Sequence, residues 1–401
     1  MISRPAVAQQ VRNLIGPWRP SGTRPSFALR YFGWAALLVL SMFPSQAIGQ
    51  SWSWTTEDVD AQAESTSIVA DSEGNLHLSY YAATGGMLKY AFRAASNGKW
   101  FNMPLEHGLG FMLTRITVDS DLNPHICYTP HTLKYAHWDG SKWHMQPVDQ
   151  GSGVVGFWCS IRVSPAGEPQ ISWYLESGTY FRYAILKDGV WAAQSIEGGG
   201  GALPGKWNSM TLDAHNNAHL SYTWFPTGQL KYTAFNGKNW NTQLIDSPND
   251  SPGGQRGMGS SLILDGHGNP LISYYDEQSL RLARYVDGKW KKEIVEELPP
   301  FGQFSWRNFR SSMVLDSTGA LHIVFESLKG LEHIWWDGSQ WRPQLLLPSL
   351  GATYFDNSMT IDKNDNLFVS YKDPVDGSLK VLVGKKKPAA ATTSAQKEKL
   401  P

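Results

Sequence analysis

Residues 75–80 read NLHLSY, and six further segments share that build: NPHICY from Asn123, EPQISW from Glu168, NAHLSY from Asn217, NPLISY from Asn269, ALHIVF from Ala320 and NLFVSY from Asn366. Each is an alternating strand that follows a turn. Four residues upstream stands Asp71, Asp119, Asp213, Asp265, Asp316 or Asp362, with Ser164 in the third copy. A short apolar strand precedes that Asp, and a third strand follows the hexad, such as LKYAHW from Leu133 or LKYTAF from Leu230. The first six copies then continue through a Gly turn to Trp100, Trp143, Trp191, Trp240, Trp290 and Trp341, spaced 43 to 51 residues apart. Period-2 alternation excludes a helical solenoid. Four short strands per unit, repeated at this interval, is the pattern of a propeller blade.

The fold class is therefore all-β, a seven-bladed β-propeller of four-stranded antiparallel blades over residues 50–384. At 401 residues the chain exceeds an ordinary single core, which a repeat architecture permits. The seventh copy reaches Gly384 without its Trp strand. Its missing strand stands at the other end of the domain, where Trp54, Val59 and Asp60 repeat the spacing of Trp143, Val148 and Asp149. A strand near Trp54 joining the last blade closes the ring and removes the exposed sheet edges.

Residues 1–49 read as a signal peptide with a long basic leader. Arg12, Arg19, Arg24 and Arg30 precede the apolar run 31–43 and a small-residue cleavage site after Gly49. That run is short for a membrane span. The expectation is export, to the outside or to a periplasm, with no membrane attachment after cleavage. Residues 385–401 are rich in Lys, Ala, Thr and Pro without apolar periodicity and read as a disordered tail. Lys plus Arg equal Asp plus Glu at 35 each, which argues against a nucleic-acid partner. A monomer is expected. The two cysteines, Cys127 and Cys159, have two readings: a bridge across adjacent blades in an oxidising compartment, or two buried thiols serving as small apolar residues, the bland reading and the slightly favoured one.

Most repeated residues read as structural. The turn Asp accepts backbone N–H groups two residues on. His77, His125, His219 and His322 recur at one place in four different blades, so they cannot converge on one metal and read as hydrogen-bonded packing residues. Asp119, Asp121 and Asn123 imitate the start of a calcium loop but lack its sixth-position Gly and closing Glu. No metal or cofactor is expected.

The turns WDGSKW from Trp138, WDGSQW from Trp336, VDGKW from Val286 and KDGVW from Lys187 resemble degenerate Asp-boxes of the sialidase-like propeller superfamily. The resemblance covers roughly residues 51–384 and implies the propeller architecture. Seven units stand where true sialidases have six, and the sialidase Phe-Arg-Ile-Pro signature does not occur.

Fold analogy puts function on the face where the inner strands enter the central channel, because the opposite face carries the standardised turns. Residues that break the repeat there are the candidates. One channel-facing column of the first strands reads Ser67, Arg115, Ser160, Ser209, Ser261, Ser312 and Ser358. Two residues earlier the column contains Trp158, Trp207, Arg310 and Asp356, and two residues later it contains Arg162. Arg115, Arg162 and Arg310 suit a carboxylate or sulfate, and Trp158 and Trp207 a sugar ring. The structural alternative pairs each Arg with a neighbouring acid, such as Asp356 or Glu64. The second-strand ends supply Glu176, Asp276 and Glu326 as possible acids or bases; Asp276 and Asp373 occupy matching positions, which favours a structural role for them. Two functions follow. One is an exported binding protein that recognises an extracellular acidic glycan, or a protein ligand, at the channel mouth. The other is a sialidase-like glycoside hydrolase or polysaccharide lyase acting on acidic glycans.

Overall fold

The computed structural model describes residues 51–110, 113–149, 155–199, 203–225, 227–248, 257–276, 278–298, 310–350 and 355–387. The leader 1–49, Glu277 and the tail beyond Lys387 lie outside the described residues. Among the described residues twenty-eight strands, β1 to β28 in chain order, form seven four-stranded antiparallel sheets. The innermost strands of blades 1 to 7 are β2 (Ser65–Ala70), β6 (Thr114–Val118), β10 (Val155–Val163), β14 (Leu203–Leu212), β18 (Met258–Leu264), β22 (Ser311–Leu315) and β26 (Ser358–Ile361). Each of the first six blades adds the next three strands outward. The last is built in the order β1-β28-β27-β26.

That order closes the ring as the spacing of Trp54 requires. Strand β1 (Trp52–Asp60) pairs antiparallel with β28 (Leu379–Lys386), in a register that sets Trp52 opposite Lys386 and Glu57 opposite Val381. β28 runs two residues past Gly384, so Lys385 and Lys386 belong to the blade and not to the tail. Lys386 reaches Asp316 of blade 6 at 2.8 Å.

The core lies between the blades. Among the described residues seven buried apolar clusters occur, one at each junction. Ile68, Ile116, Ile161, Met210, Leu262, Met313 and Met359, the apolar face of the inner strands, are all buried in them. Behind that layer the turn motif has its own chemistry. Asp71 Oδ1 accepts the N–H groups of Glu73 and Asn75, while His77 bridges Asp71 Oδ2 and the Tyr90 hydroxyl. Asp119–His125–Tyr135 and Asp213–His219–Tyr232 repeat it, and in blade 6 His333 replaces the tyrosine. Burial holds His77, His125 and His219 below the ordinary histidine value, which keeps them neutral.

Two rings of polar contacts join the inner edges. In the first, a channel-facing serine Oγ accepts the amide N–H of the next blade's inner strand: Ile116 to Ser67, Met210 to Ser160, Leu262 to Ser209, Met313 to Ser261, Met359 to Ser312 and Ile68 to Ser358, at 2.9 to 3.3 Å. In the second, a second-strand residue meets the residue preceding that serine column in the next blade: Ser79 with Thr114, Ser172 with Asn208, Ser221 with Ser260, Ser273 with Ser311 and Ser370 with Thr66. The junction of blades 2 and 3 departs from both rings. Arg115 holds the serine place, and Cys127 and Cys159, at the places of the second ring, are joined as a disulfide with Cα atoms 6.5 Å apart. The bridged reading of the cysteines is therefore the one the fold adopts, and not the slightly favoured pair of buried thiols, because the pairing positions of this ring bring them face to face.

Trp52 is almost wholly buried against His322 and His333 of blade 6. Trp52→Ala is expected to cost about 3–5 kcal/mol in denaturant unfolding. A chain beginning at Ala61 should melt well below one beginning at Gln50. Equal melting temperatures for those two chains would refute closure by β1.

Candidate functional site

The inner strands surround a channel cavity of about 440 Å³. Side chains face it at three levels, because alternate residues of a strand point the same way and lie about 7 Å apart. Trp158, Trp207 and Arg310 form the mouth level, Arg115 and the serines the middle, and Arg162 with Thr117, Thr360 and Val314 the deep level. The three arginines thus descend from blade 6 through blade 2 to blade 3 over about 13 Å. All three line the cavity, as do both tryptophans.

The mouth level is built on irregular backbone. Trp207 and Asp356 have φ of +48° and +43°, and the same column carries Gly259 at +57°. Only glycine takes this region freely, so Trp207 and Asp356 hold strained conformations that the surrounding packing must enforce. Register shifts beside Trp207 and Gly259 mark β-bulges at the head of β14 and β18. Trp158 is half-buried with its ring centroid 5.3 Å from that of Trp207, and the Lys206 ammonium lies 5.5 Å from the Trp158 ring and 4.4 Å from Phe225.

The arginines divide into two kinds. Arg310 Nη1 lies 3.2 Å from Asp356 Oδ1, both side chains nearly buried, so here the structural alternative is realised. Glu64, the other acid considered, pairs instead with Lys372 at 2.8 Å. Arg115 and Arg162 each donate through Nη1 to the main-chain carbonyl before them, Thr114 O and Ile161 O, both at 2.7 Å. Neither forms an ion pair with a carboxylate among the described residues. Burial, then the like charge of Arg310, lowers Arg115 to about 9, with Asp356 opposing and Arg162 adding to the shift. Burial alone lowers Arg162 to about 10. Both remain cations at neutral pH, and among the described residues that line the cavity there is no Asp or Glu.

Of the acids named from the sequence, none stands among the residues that line the cavity. Asp276 accepts from Gln278 N, Ser279 Oγ and Arg281 Nε, which makes it a turn and ion-pair residue. Asp373 likewise accepts from Val375 N and pairs with Lys380 at 2.7 Å. Glu176 is exposed in the hairpin after β11 (Pro169–Leu175). Glu326 is buried and receives Asn357 Nδ2 at 3.2 Å, and Asn357 itself lines the cavity. Burial, then the charge of Asp356, raises Glu326 to about 8 against the opposing effects of Asn357 and Arg310. Burial also raises Asp356, with Arg310 and Arg115 acting against it. Asn208, Ser260 and Asn357 line the cavity too, and sequence reading passed over them. Their signal was available, since they share the column immediately before the serines. Among the described residues no three His, Cys, Asp or Glu side chains gather to hold a metal ion.

No protein-family model matches the chain, and no curated protein matches it in sequence. Solved structures do. A polysaccharide lyase, an ulvan lyase bound to -[GlcA(1-4)Rha3S]-, superposes with a TM-score of 0.56 at 14% identity, covering 82% of this chain and 95% of its own. An arginine-to-alanine triple mutant of AofleA from Arthrobotrys oligospora gives 0.51 at 11% identity, over 75% and 91%. A fungal alcohol oxidase of the AA5 family in complex with copper gives 0.52 at 9%, over 84% and 76%. Proteins of such different chemistry share the propeller, so the likeness speaks to fold and leaves function to the site.

Glu326 yields a pH prediction. Its folded value lies above the ordinary 4.5, so the native state keeps a proton that the unfolded chain releases. Stability from this group is complete below about 4.5 and falls as pH rises to about 8, by on the order of a few kcal/mol. Glu326→Gln, neutral in both states, should melt increasingly above the parent as pH rises from 5 to 8 in calorimetric scans. A parent-to-variant difference that does not change with pH would remove the buried acid from the account.

Proposed function

We propose that this chain is an exported propeller that binds the acidic group of an extracellular glycan in its central channel. One observation carries the reading. The cavity wall, as far as it is described, presents three arginines and no Asp, Glu, His, Tyr or Lys, and two of the arginines lack an acid partner. Such cations persist when they await an anion. Proton transfer, which glycoside hydrolysis requires, calls for a titratable group within hydrogen-bond reach of the scissile bond, and that wall supplies none. A cavity of about 440 Å³ is in the size range of small-ligand sites and suits one or two sugar units. Trp158 offers a ring face at the mouth. The ulvan lyase with the same fold holds a glucuronate and a sulfated rhamnose, which agrees with this ligand class. Export agrees with the disulfide, which persists in oxidising compartments. No described helix is long and apolar enough to cross a membrane.

A sialidase-like hydrolase or a polysaccharide lyase is the second reading, with the superfamily resemblance of the Asp-box turns behind it. Glu326 favours it, as a carboxyl that stays protonated near neutral pH and is hydrogen-bonded to the cavity residue Asn357. Unsaturated or reducing-end products from any acidic polysaccharide, lost in Glu326→Gln, would establish it.

A screen of uronate-containing and sialylated polysaccharides against the mature chain tests the binding reading. Arg115→Ala and Arg162→Ala should weaken binding about tenfold or more by calorimetry, with melting unchanged or raised as like charges leave the channel. Arg310→Ala should instead cost about 1–3 kcal/mol of stability, because Asp356 loses its partner. Unaltered affinity in both channel variants would sink the site.

A further inference from the structure

We propose that the Cys127–Cys159 disulfide is the positioning element of the channel cations, so that the anion site assembles only in the oxidised protein. The six other junctions act as internal controls. At each of them a serine Oγ takes the next blade's amide N–H, so the serine is both the channel lining and the clasp between blades. A guanidinium has five donors and no acceptor. Arg115 therefore cannot receive the Ile161 N–H, and placing a cation at this level removes the clasp between blades 2 and 3.

The compensation stands at the same junction. Where the second ring has Ser79 with Thr114 or Ser273 with Ser311, the side chains of Cys127 and Cys159 are covalently joined. Cys127 is the direct cross-strand partner of Arg115, and Cys159 lies on β10 three residues before Arg162. The bridge thus ties β10, which carries Arg162, to β7 (Pro124–Tyr128), the strand paired with the β6 that carries Arg115, and so limits the separation of the two cations. Without it, blades 2 and 3 would meet with neither clasp, and two like charges would face each other across the looser seam. One other junction also departs from the second ring, where Val324 replaces the serine. There the first-ring bond from Met359 to Ser312 is kept, and Asn357 turns to Glu326. The covalent link is found where the serine is lost.

Closing the bridge removes two electrons and two protons from the cysteines and passes them to a disulfide oxidant, protein or small molecule, of the receiving compartment, which leaves as two thiols. The regulation so described rests on the channel-binding reading above, while the coupling between the bridge and Arg115 does not.

Two measurements separate them. In thermal melts with and without dithiothreitol, reduction should lower the melting temperature of the parent, and should lower that of Arg115→Ser, which regains the serine, by less than half as much. An equal loss in both proteins would make the bridge a general staple and overturn the coupling. In calorimetry with a sulfated, glucuronate-containing tetrasaccharide, at a temperature where the reduced parent keeps its circular dichroism, reduction should weaken binding about tenfold or more. The double variant Cys127→Ser, Cys159→Thr, which rebuilds the Ser79–Thr114 pair, should recover part of that affinity and ignore dithiothreitol. Equal affinity of oxidised and reduced parent would overturn the positioning role. Binding of no acidic sugar by the oxidised parent would overturn the function above and the regulation with it, while the melts still decide the coupling.

Discussion

The hydrogen bond from an inner-strand amide to the serine hydroxyl of the neighbouring blade is the contact on which the rest depends. A four-stranded sheet leaves its first strand with an unpaired edge, and a ring of such sheets turns seven of those edges toward one axis. The edge N–H groups that the serines receive are buried or half-buried, and a buried donor left unmet costs about 1–3 kcal/mol. Serine answers with an acceptor on the shortest possible stem. It holds adjacent blades together and leaves the axis open, which a longer side chain at that place would not.

Because the ring is so uniform, its departures stand out as chemistry. Arg115 turns one clasp into a charge and transfers the mechanical duty to a covalent bond. Arg310 brings a charge to the mouth but is met by Asp356, at a residue whose backbone is itself strained. Arg162 enters at the deep level, where the other blades place Val, Ile or Thr. The result is a graded interior: a neutralised arginine with aromatic neighbours at the mouth, then two cations further in. A ligand with its negative charge at one extremity and an apolar ring face behind it matches that order.

Much of this was legible in the sequence, because repetition lets one blade be read against six others. The strand count, the closing strand from Trp54, the turn aspartates and the four packing histidines all follow from local pattern alone. So did the direction of Arg115, Arg162 and Arg310, since strand alternation decides which face a side chain takes. Partnership was not legible. That Arg310 finds Asp356 while Glu64 goes to Lys372 depends on distances between blades, which no single-blade pattern encodes. The role of the serines was hidden for the same reason, as their partners are backbone groups of another blade. Glu326 looked like a catalytic candidate because its column runs toward the mouth, and its burial arises from Asn357 and Tyr275 folding over it from the neighbouring blades. The cysteines are the instructive case. Aligned one column over, they fall at the Ser–Thr pairing positions, which would have placed them face to face.

The pairing of β1 with β28 has a consequence for biogenesis. Glu57 meets Val381 across more than three hundred residues, one of the longest-range contacts in the chain. Synthesis delivers β1 first, and its partner emerges only after every blade has been made. Loop closure over such a span is slow and is rewarded only at the end, which is the property of high contact order. The last blade therefore works as a checkpoint on completeness. A chain interrupted anywhere before Leu379 has no strand to pair with β1 and keeps an open edge, a recognisable mark for proteolysis. Only a full-length polypeptide can lock itself into a ring with no loose strand for quality control to find.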